Sequence, residues 1–376
     1  MSLRIGIAGG SVGGLFAAVL LARLGHQVTV FERSRRGLAQ RGAGLVVQEQ
    51  VTRILHQVGL PHVAETGVWA KERIVLDTSG RVIQRENRPQ MQMSWDLLYD
   101  GFRKLLPESL YLTGTAVVDA ITSSRDVKVT LADGRSFVFD LLVGADGQGS
   151  IVRNVVNGNG SASALPDYAG YAAWRGLVPE ESVPHEAATQ LFGRFAFSFG
   201  DGTQALGYLV PSASGETTPG ARRYNWVWYR QLPAAQLKEL LQFARRAGAL
   251  SLSPGELPNE LRESLIADAQ AQLPPSFAAA VAVEPLPFVQ PIYDFESRRL
   301  VNQRVVLLGD AAFIARPHTA MGVAKAAGDA MALAEALADR PIDEALSVYE
   351  QARLQQGHAI VGYGRRLGEP LSGSPK

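Results

Sequence analysis

Cysteine is missing from this chain, and its charges nearly cancel. The absence of cysteine from 376 residues excludes disulfide bonds, thiol catalysis and cysteine-ligated metals, and we expect no metal site of another kind. Lysine and arginine number 37 against 36 acidic residues, which leaves a formal net charge of +1 at pH 7. No basic block stands out beyond Arg33 to Arg36. This balance argues against nucleic acid as a partner.

Long apolar runs are also missing. The run from Leu15 to Ala22 is far shorter than the roughly 20 residues that cross a bilayer. We therefore expect no membrane segment and a cytoplasmic location. The chain is longer than the size at which single hydrophobic cores usually split, so two intertwined domains are expected.

The N-terminal segment has the pattern of a dinucleotide-binding βαβ unit. An apolar strand over 3–8 leads into a glycine-rich turn, an apolar helix covers 15–24, and a second strand over 28–32 ends in Glu32. Glycines let the backbone approach a pyrophosphate, and the acid after the second strand binds a ribose hydroxyl. The candidate cofactor contacts in this unit are Gly9, Ser11, Val12, Gly14, Glu32 and Arg33.

Ser11 departs from the glycine fingerprint, because it stands where the second glycine of G-x-G-x-x-G is expected. A serine is small, and its hydroxyl can donate to a phosphate. An imperfect glycine turn alone is equally consistent with an ordinary strand-to-helix turn. The flanking strand and helix, together with Glu32, favour dinucleotide binding.

Two later strands also end in an acid. The run 141–144 leads to Asp146, and Ser150 then begins a helix, either as an ordinary N-cap or with Asp146 and Arg153 organising the phosphates of a dinucleotide. The run 305–308 leads to Asp310, and a glycine-marked helix follows. Ligands of open α/β sheets bind at such strand ends, and helix N-termini attract anions.

The middle of the chain has a different texture. The stretch 157–163 is rich in Gly, Ser and Asn and is the best linker candidate. Beyond it, patterns predict an antiparallel sheet and two helices. Earlier parts predict a hairpin, two helices and a β-meander. The predicted strands are 168–178, 190–198, 204–210 and 224–230, the helices 48–58, 95–106, 234–247 and 259–270, the hairpin 74–84 and the meander 117–139.

These patterns predict a dinucleotide domain that a second domain interrupts. We expect the first domain over residues 1–160, with 74–95 contributing to the second domain. The second domain covers 161–300 and holds the substrate. Residues 301–376 return to the first domain and end in a helix.

The three strand-and-acid motifs resemble, in this order, those of the single-component FAD-dependent aromatic hydroxylases, the p-hydroxybenzoate hydroxylase-like group A flavoprotein monooxygenases. Further motifs are similar to the dihydroxypyridine hydroxylase branch of that family. The motifs that resemble the whole family are Gly9 to Gly14 with Glu32, Gly144 to Arg153, and Gly309 to Ala312 with Pro317, Gly322 and Asp329. The motifs that resemble the branch are Gly42 to Gln48, Tyr171 to Gly176, Arg316-Pro317-His318, Ala324-Lys325 and Leu354 to Ala359.

The resemblance implies an α/β fold: a Rossmann-like FAD-binding domain of the glutathione reductase type, interrupted by a mixed or antiparallel β-sheet substrate domain, with a C-terminal helix. It implies FAD as cofactor and NADH or NADPH as a transient cosubstrate. It also implies O2 and a small, electron-rich aromatic or N-heteroaromatic substrate, hydroxylated through a flavin C4a-hydroperoxide. Whether the chain forms a homodimer stays open.

The resemblance also assigns site residues. Asp310 contacts the ribityl chain, Pro317 lies by the isoalloxazine, and backbone N–H groups of Met321, Gly322 and Val323 face the pyrimidine edge. Val47 and Asp146 complete the expected FAD contacts. His318 either binds a substrate hydroxylate or accepts its proton, or makes a structural hydrogen bond in its loop. Among the sheet aromatics, of which about half face away, Tyr208 is the preferred pocket residue; the others are Tyr171, Phe197, Trp226 and Trp228.

Some positions depart from the broader family. Phe313 and Ala324 replace a histidine and an asparagine, and Trp95 replaces an arginine that contacts the pyrophosphate. Arg33, Arg41 or Arg103 are candidates to substitute for that arginine. Two other functions remain open: a flavin-dependent reductase or halogenase on the same scaffold, and a non-catalytic dinucleotide-binding protein. The absence of lysine between residue 15 and Glu32 counts against the halogenase.

Overall fold

The computed structural model describes residues 2–35, 38, 44–158, 165–246 and 248–372. Its strands are β1 (Arg4–Ala8), β2 (Gln27–Glu32), β3 (Gly44–Val46), β4 (Val68–Ala70), β5 (Glu72–Leu76), β6 (Val82–Glu86), β7 (Gln90–Ser94), β8 (Tyr111–Thr113), β9 (Val117–Thr122), β10 (Val127–Leu131), β11 (Ser136–Phe139), β12 (Leu141–Gly144), β13 (Asp167–Pro179), β14 (Arg194–Gly200), β15 (Thr203–Val210), β16 (Arg223–Gln231), β17 (Phe288–Glu296), β18 (Val301–Asn302), β19 (Val305–Leu307) and β20 (Phe313–Ile314).

The helices are α1 (Val12–Arg23), α2 (Glu49–Gln57), α3 (Pro61–Glu65), α4 (Trp95–Lys104), α5 (Val152–Asn157), α6 (His185–Leu191), α7 (Ala234–Leu240), α8 (Asn259–Gln272), α9 (Pro275–Ala282), α10 (Gly322–Asp339) and α11 (Ile342–Gly368). Within the described residues, none of them is both long and apolar enough to span a membrane.

The first sheet is largely parallel and has the order β18-β19-β12-β1-β2-β8. Its central strands are apolar on both sides, as strands covered on both faces require, and Val305 to Leu307 are fully buried. Helices α1 and α10 lie against one face. The β9–β11 meander covers the other, where the ring of Phe139 would lie 2.8 Å from a Cβ at Gly6.

The second sheet is mixed and has the order β20-β17-β13-β16-β15-β14-β5-β6. Helices α6, α7, α8 and α9 cover one face, and their apolar side chains pack around Trp174, Trp226 and Trp228. The hairpin β5–β6 belongs to this sheet although it comes early in the chain. The expected α/β architecture with an interrupted Rossmann-like unit and a C-terminal helix is confirmed. The domain boundaries stay a prediction.

Two element predictions differ from the structure. The strand expected over 190–198 begins at Arg194, because α6 continues to Leu191 and a turn through Gly193 (φ +72°) separates the two. The helix expected over 234–247 ends at Leu240, followed by a short 3-10 turn; residue 247 lies outside the described residues. Residues 159–163 of the linker candidate also lie outside them.

The sequence reading missed α9 and β17 altogether. Pro291 argues against a central strand because proline cannot donate to the ladder. In the structure Pro291 lies opposite Ala172 of β13 next to an irregularity in register, whereas β20 pairs with β17 only at Phe295 and Glu296. A proline is tolerated there because one side of the strand is open at that point.

Two glycines of α11 provide a matched test of packing. A Cβ at Gly357 would meet the Phe313 ring at 2.1 Å, whereas one at Gly362 meets only the flexible end of Arg366 at 3.9 Å. We expect Gly357→Ala to lower the free energy of unfolding by about 1–3 kcal/mol through overpacking. Gly362→Ala should raise it by about 0.5–1 kcal/mol through helix propensity. Chemical unfolding of both variants checks this, and equal effects would contradict the packing.

Candidate active site

Three strand ends bring the acid-bearing turns together. In the first sheet Ala8 of β1 is paired with Gly144 of β12, and Gly144 with Leu307 of β19. The strands are parallel, so the turns that follow them leave the sheet at the same edge. The glycine turn, the turn at Asp146 and the turn at Asp310 are therefore neighbours. This is the edge at which open α/β sheets bind ligands.

The glycine turn is sterically tight at three positions. Gly9 has a φ of +101°, and a Cβ there would lie 2.3 Å from the carbonyl oxygen of Ala145. A Cβ at Gly14 would lie 1.9 Å from the Gly9 carbonyl oxygen, and one at Gly10 would lie 2.3 Å from the Tyr111 hydroxyl. Ser11 has a φ of −72°, which any residue adopts. The serine is therefore compatible with the turn, and its side chain makes no hydrogen bond to the helix it precedes.

Glu32 is buried at the end of β2. Its carboxylate accepts hydrogen bonds from the backbone N–H groups of Gly10 (2.9 Å) and Ser34 (2.7 Å). The acid thus holds the glycine turn against β2, and its expected ribose contact stays a prediction. Of the other expected contacts, Val12 is buried, Val47 is half-buried and Arg33 is exposed.

Asp146 caps helix α5 in this structure. Its carboxylate accepts hydrogen bonds from the Ile151 and Val152 N–H groups at 2.7 and 3.2 Å and from the Ser150 hydroxyl. The Ser150 hydroxyl oxygen in turn accepts the Arg153 N–H at 3.0 Å, as a capping side chain does, although Ile151 is the residue at the N-cap position of α5. Burial raises the pKa of Asp146, which these hydrogen bonds oppose.

Arg153 ties two of the turns together. Its guanidinium donates to the carbonyl oxygens of Gln148 (2.9 Å), Asp310 (2.7 Å) and Ala311 (2.9 Å), and it lies over the ring of Phe295. Burial lowers its pKa to about 10, while the carboxylates of Asp146 and Asp310 work in the opposite direction. In this structure Arg153 positions the Asp310 turn from within the protein.

Asp310 presents its side chain towards the open side of the edge, 41% exposed. Lys325 Nζ lies 3.7 Å from its carboxylate and 4.0 Å from that of Asp329. The Lys325 side chain is only 1% exposed, and Nζ has no hydrogen-bond partner among the described residues. Asp329 also accepts from Gly309 N–H and Arg353 Nε. A buried ammonium therefore holds the two carboxylates in place.

The loop from Arg316 to Gly322 is anchored from both sides. The Arg316 guanidinium donates to Asp294 at 2.7 Å and to the Ser372 hydroxyl at 2.7 Å. Within the loop, Met321 N–H donates to the Thr319 hydroxyl at 3.1 Å. Helix α10 starts at the exposed Gly322, and Lys325 in its first turn lies 3.7 Å from the Asp310 carboxylate, so the helix begins at the same edge as Asp310.

His318 belongs to this loop and packs against the second sheet. Its Nε2 is 2.9 Å from the hydroxyl of the fully buried Tyr171, and its ring lies 4.3 Å from that of Tyr229. Burial lowers the pKa of His318 to about 4, and the positive Arg316 adds to this. The imidazole is thus neutral near pH 7. Burial also raises the pKa of Tyr171 to about 12, so its hydroxyl keeps its proton.

The face of the second sheet away from helices α6 to α9 meets His318. Tyr171 and Tyr229 lie on this face with Ala173, Val227 and Leu206. Tyr208 and Phe197 belong to a neighbouring apolar cluster, which Leu206 also contacts. The Tyr208 hydroxyl donates to the Gly44 carbonyl oxygen at 3.0 Å, and burial raises its pKa to about 12. Of the five aromatic candidates, Trp226 and Trp228 instead face the helices.

The residues that differ from the broader family make contacts within the protein. Phe313 is buried against α11, and Ala324 is buried in α10. Trp95 stacks on Tyr99 at 5.1 Å, and Arg103 lies over the Tyr111 ring, whose hydroxyl donates to the Gly10 carbonyl oxygen. Arg103 therefore reaches the glycine turn only through Tyr111. Arg41 lies outside the described residues, as do Gly42 and Ala43 of the quoted motif.

The motifs quoted from the sequence contain Arg175, Arg316 and Lys325, but none of the three was given a role. Alternation along β13 could have signalled Arg175, because Tyr171, Ala173 and Arg175 share one face. No local pattern shows that Lys325 is buried beside two carboxylates, since that depends on how α10 packs against the Asp310 turn.

Comparison with known proteins now decides the family. The chain matches models described as FAD binding domain-like over residues 168–294 and FAD binding domain over 272–362. It is 30% identical over 372 residues to 2,6-dihydroxypyridine 3-monooxygenase of Paenarthrobacter nicotinovorans, covering 98% of this chain and 91% of that protein. The chain belongs to the single-component FAD-dependent aromatic hydroxylases.

Two more comparisons agree. The chain is 30% identical over 384 residues to 3-amino-4-hydroxybenzoate 2-monooxygenase of Streptomyces cremeus, covering 98% of this chain and 87% of that protein. The solved structure of 2,6-dihydroxypyridine-3-hydroxylase from Arthrobacter nicotinovorans superposes with a TM-score of 0.89 at 28% identity, covering 100% and 94% of the two chains. This hydroxylase therefore uses FAD, a reduced nicotinamide and O2 to hydroxylate an aromatic ring.

The residues present fit FAD. Glycine at positions 9, 10 and 14 lets the turn pack directly against Ala145, Tyr111 and its own backbone, which gives the tight strand-to-helix turn that a pyrophosphate-binding loop needs. The N-termini of α1 and α10 both point to the strand edge, where their dipoles favour negative charge. Asp310 offers a half-exposed acceptor for cofactor hydroxyls.

The role of Asp310 can be tested through flavin content. We expect Asp310→Ala to weaken FAD binding about 10- to 100-fold, the range for losing a hydrogen bond to a charged group. The flavin-to-protein ratio after gel filtration and the Kd from flavin fluorescence measure it. Asp133→Ala, in an exposed turn, is the matched control. Unchanged flavin content in Asp310→Ala would contradict the role.

His318 makes stability depend on pH. Its pKa is about 4 in the folded protein, against an ordinary value of 6.5 for histidine. Between these two pH values the unfolded chain therefore binds a proton that the folded protein does not. Stability therefore falls as pH drops from about 6.5 to about 4. His318→Asn lacks this contribution. As pH falls from about 6.5 to about 4, the free energy of unfolding of wild type should therefore drop more than that of the variant.

Urea unfolding of the holoenzyme at several pH values, with excess FAD, measures the difference. His56→Asn is the control, because that side chain is exposed on helix α2. A pH-independent difference between wild type and His318→Asn would show that His318 is not buried as a neutral imidazole.

Proposed function

We propose that this hydroxylase acts on an electron-rich, hydroxylated N-heteroaromatic ring of the hydroxypyridine type. The near full-length similarity to 2,6-dihydroxypyridine 3-monooxygenase supports this ring class. The structural observation that carries the proposal is the neutral His318, paired with Tyr171 at the turn beside Asp310. A neutral imidazole between a cofactor edge and an apolar sheet face suits a small ring with polar substituents.

We assign the cofactor contacts as follows. Asp310 binds the ribityl hydroxyls, and Pro317 lies by the isoalloxazine. The N–H groups of residues 321–323, at the start of α10, face the pyrimidine edge, where the helix dipole stabilises negative charge. Bound FAD supplies the electron transfer and oxygen activation that no side chain provides. Glu32, Ser11, Val12 and the glycines hold the rest of the dinucleotide.

His318 orients the substrate. One ring nitrogen is engaged with the Tyr171 hydroxyl, which leaves the other free to exchange a hydrogen bond with a ring substituent. A general base works best when its pKa is near the working pH, and the pKa of His318 is about 4. The geometry therefore supports hydrogen bonding by His318 over proton abstraction.

The surrounding side chains keep water out. Tyr171, Tyr229 and Tyr208 are all almost fully buried on the sheet face. Exclusion of water protects reactive intermediates of the reaction from side reactions. A nicotinamide docks transiently, because the chain has a single glycine fingerprint. Cytoplasmic location stays a prediction that cell fractionation can test. A homodimer stays a prediction that light scattering can test.

A substrate panel tests the proposal. We expect hydroxypyridines to stimulate NAD(P)H oxidation and to gain one oxygen atom, while unsubstituted pyridine does neither. Initial rates with NADH and with NADPH, and product masses, measure this. A reductase on the same scaffold would oxidise NAD(P)H without adding oxygen to the ring, and preference for hydroxybenzoates over all hydroxypyridines would overturn the ring class.

The role of His318 has its own test. His318→Asn should retain FAD but raise KM about 10-fold, as for a lost hydrogen bond, and produce more peroxide per NAD(P)H oxidised. Flavin content, KM and the ratio of product to NAD(P)H measure these effects. His358→Asn is the control, and normal coupled turnover in His318→Asn would exclude a substrate role.

A further inference from the structure

Lys325 carries a buried positive charge beside the cofactor edge. It stands in the first turn of α10, where its backbone N–H donates to the Met321 carbonyl oxygen at 2.7 Å. Its Nζ is closed to solvent and has no hydrogen-bond partner among the described residues. A buried ammonium without hydrogen bonds is costly unless nearby carboxylates offset the loss of water. The acids around Lys325 therefore decide what its charge does.

Two carboxylates lie near Nζ, and they differ in exposure. Asp329, at 4.0 Å, is buried and already pairs with Arg353 Nε at 2.6 Å. It also accepts the Gly309 N–H at 2.9 Å. Asp310, at 3.7 Å, is half-exposed. Among the described residues Lys325 is the one cation within ion-pair distance of the Asp310 carboxylate, and so it is the counter-charge of that acid.

The Lys325–Asp310 pair lies beside two helix starts. A Cβ at Gly13 of α1 would lie 3.4 Å from the Cβ of Ala326, the residue after Lys325, so α1 and α10 begin side by side. Arg153 donates to the Asp310 carbonyl oxygen at 2.7 Å. Arg153 thus fixes the backbone of Asp310, and Lys325 fixes its carboxylate.

FAD brings negative charge of its own to this edge. Its pyrophosphate is anionic near pH 7, and an unbalanced Asp310 carboxylate in the same site would repel it. The ammonium of Lys325 offsets this repulsion. Because Nζ is closed off by protein atoms, it acts without touching the cofactor, and salt screens a buried charge much less than an exposed one.

We infer that Lys325 is a positioning residue for the cofactor: its buried ammonium holds the Asp310 carboxylate at the edge and offsets its charge, so that an acid can serve in an anion-binding site. This rests on the assignment of Asp310 to FAD under the proposed function. The two side chains form one neutral unit. Removing either one changes the charge beside the cofactor, whereas removing both restores the balance.

A double-mutant cycle tests whether Lys325 acts through Asp310. We expect Lys325→Met to weaken FAD binding about 10-fold, as for one lost interaction with a charged group. In the Asp310→Asn background the same substitution should change the Kd by no more than about 2-fold. Titration of the apoprotein with FAD, followed by flavin fluorescence, measures all four proteins. An equal loss in both backgrounds would overturn the inference.

The reduction potential of bound FAD separates this role from a merely structural one. Reduction by two electrons adds negative charge to the cofactor, so the charges beside it shift the potential. Lys325→Met should lower the potential, Asp310→Asn should raise it, and the double variant should return towards wild type. Titration against dyes of known potential measures this. Single variants with the potential of wild type would contradict the inference.

Arg353→Met is the matched control, because it removes a buried cation that pairs with Asp329 instead of Asp310. Its effect on the Kd of FAD should be the same with and without Asp310→Asn. If Asp310→Asn alone changes neither the Kd nor the potential, the assignment of Asp310 fails and the inference falls with it. A failure of the hydroxypyridine panel leaves the pair untouched.

Two further measurements apply if Lys325→Met does not fold. Lys325→Gln keeps a donor for the carboxylates without the charge, and it should lower the potential while retaining more FAD affinity. Asp310→Asn needs no change at residue 325. Its apoprotein should unfold at a lower temperature than wild type, because the buried ammonium loses a partner. An unchanged unfolding temperature would show that the two side chains are not coupled.

Discussion

The parallel alignment of β1, β12 and β19 is the constraint on which the site depends. Pairing of Ala8 with Gly144 and of Gly144 with Leu307 places three turns at one edge, although they are more than a hundred residues apart in the chain. Arg153 then joins two of these turns by hydrogen bonds to their carbonyl oxygens. The exposed carboxylate of Asp310 is held where a cofactor would lie because its backbone cannot move independently.

The two sheets contribute different parts of the site. The parallel sheet supplies the cofactor edge, and the mixed sheet supplies a face of tyrosines opposite the loop at His318. Arg316 connects them, since its guanidinium pairs with Asp294 of β17 and reaches Ser372 after the last helix. The segment that follows α11 as far as Ser372 is therefore part of the wall behind the site.

Charge is distributed asymmetrically around this site. At the cofactor edge Lys325 and Arg353 balance Asp310 and Asp329, which keeps buried charges paired. On the sheet face Arg175 has no such partner among the described residues. His318 on the same face is neutral near pH 7, because burial lowers its pKa to about 4.

Much of this protein could be read from its sequence. Strands such as 305–307, the glycine turn, the meander and the hairpin follow from local apolar periodicity and turn residues, and motif order led to the family. What only the tertiary structure decided depends on contacts between distant segments. Alternation alone does not say which face of β13 meets the cofactor. It also does not show that the Asp146 carboxylate caps helix α5. Lys325 is buried because α10 packs on the Asp310 turn. Local sequence determines backbone conformation, whereas burial and charge pairing are set by which segments the sheets bring together.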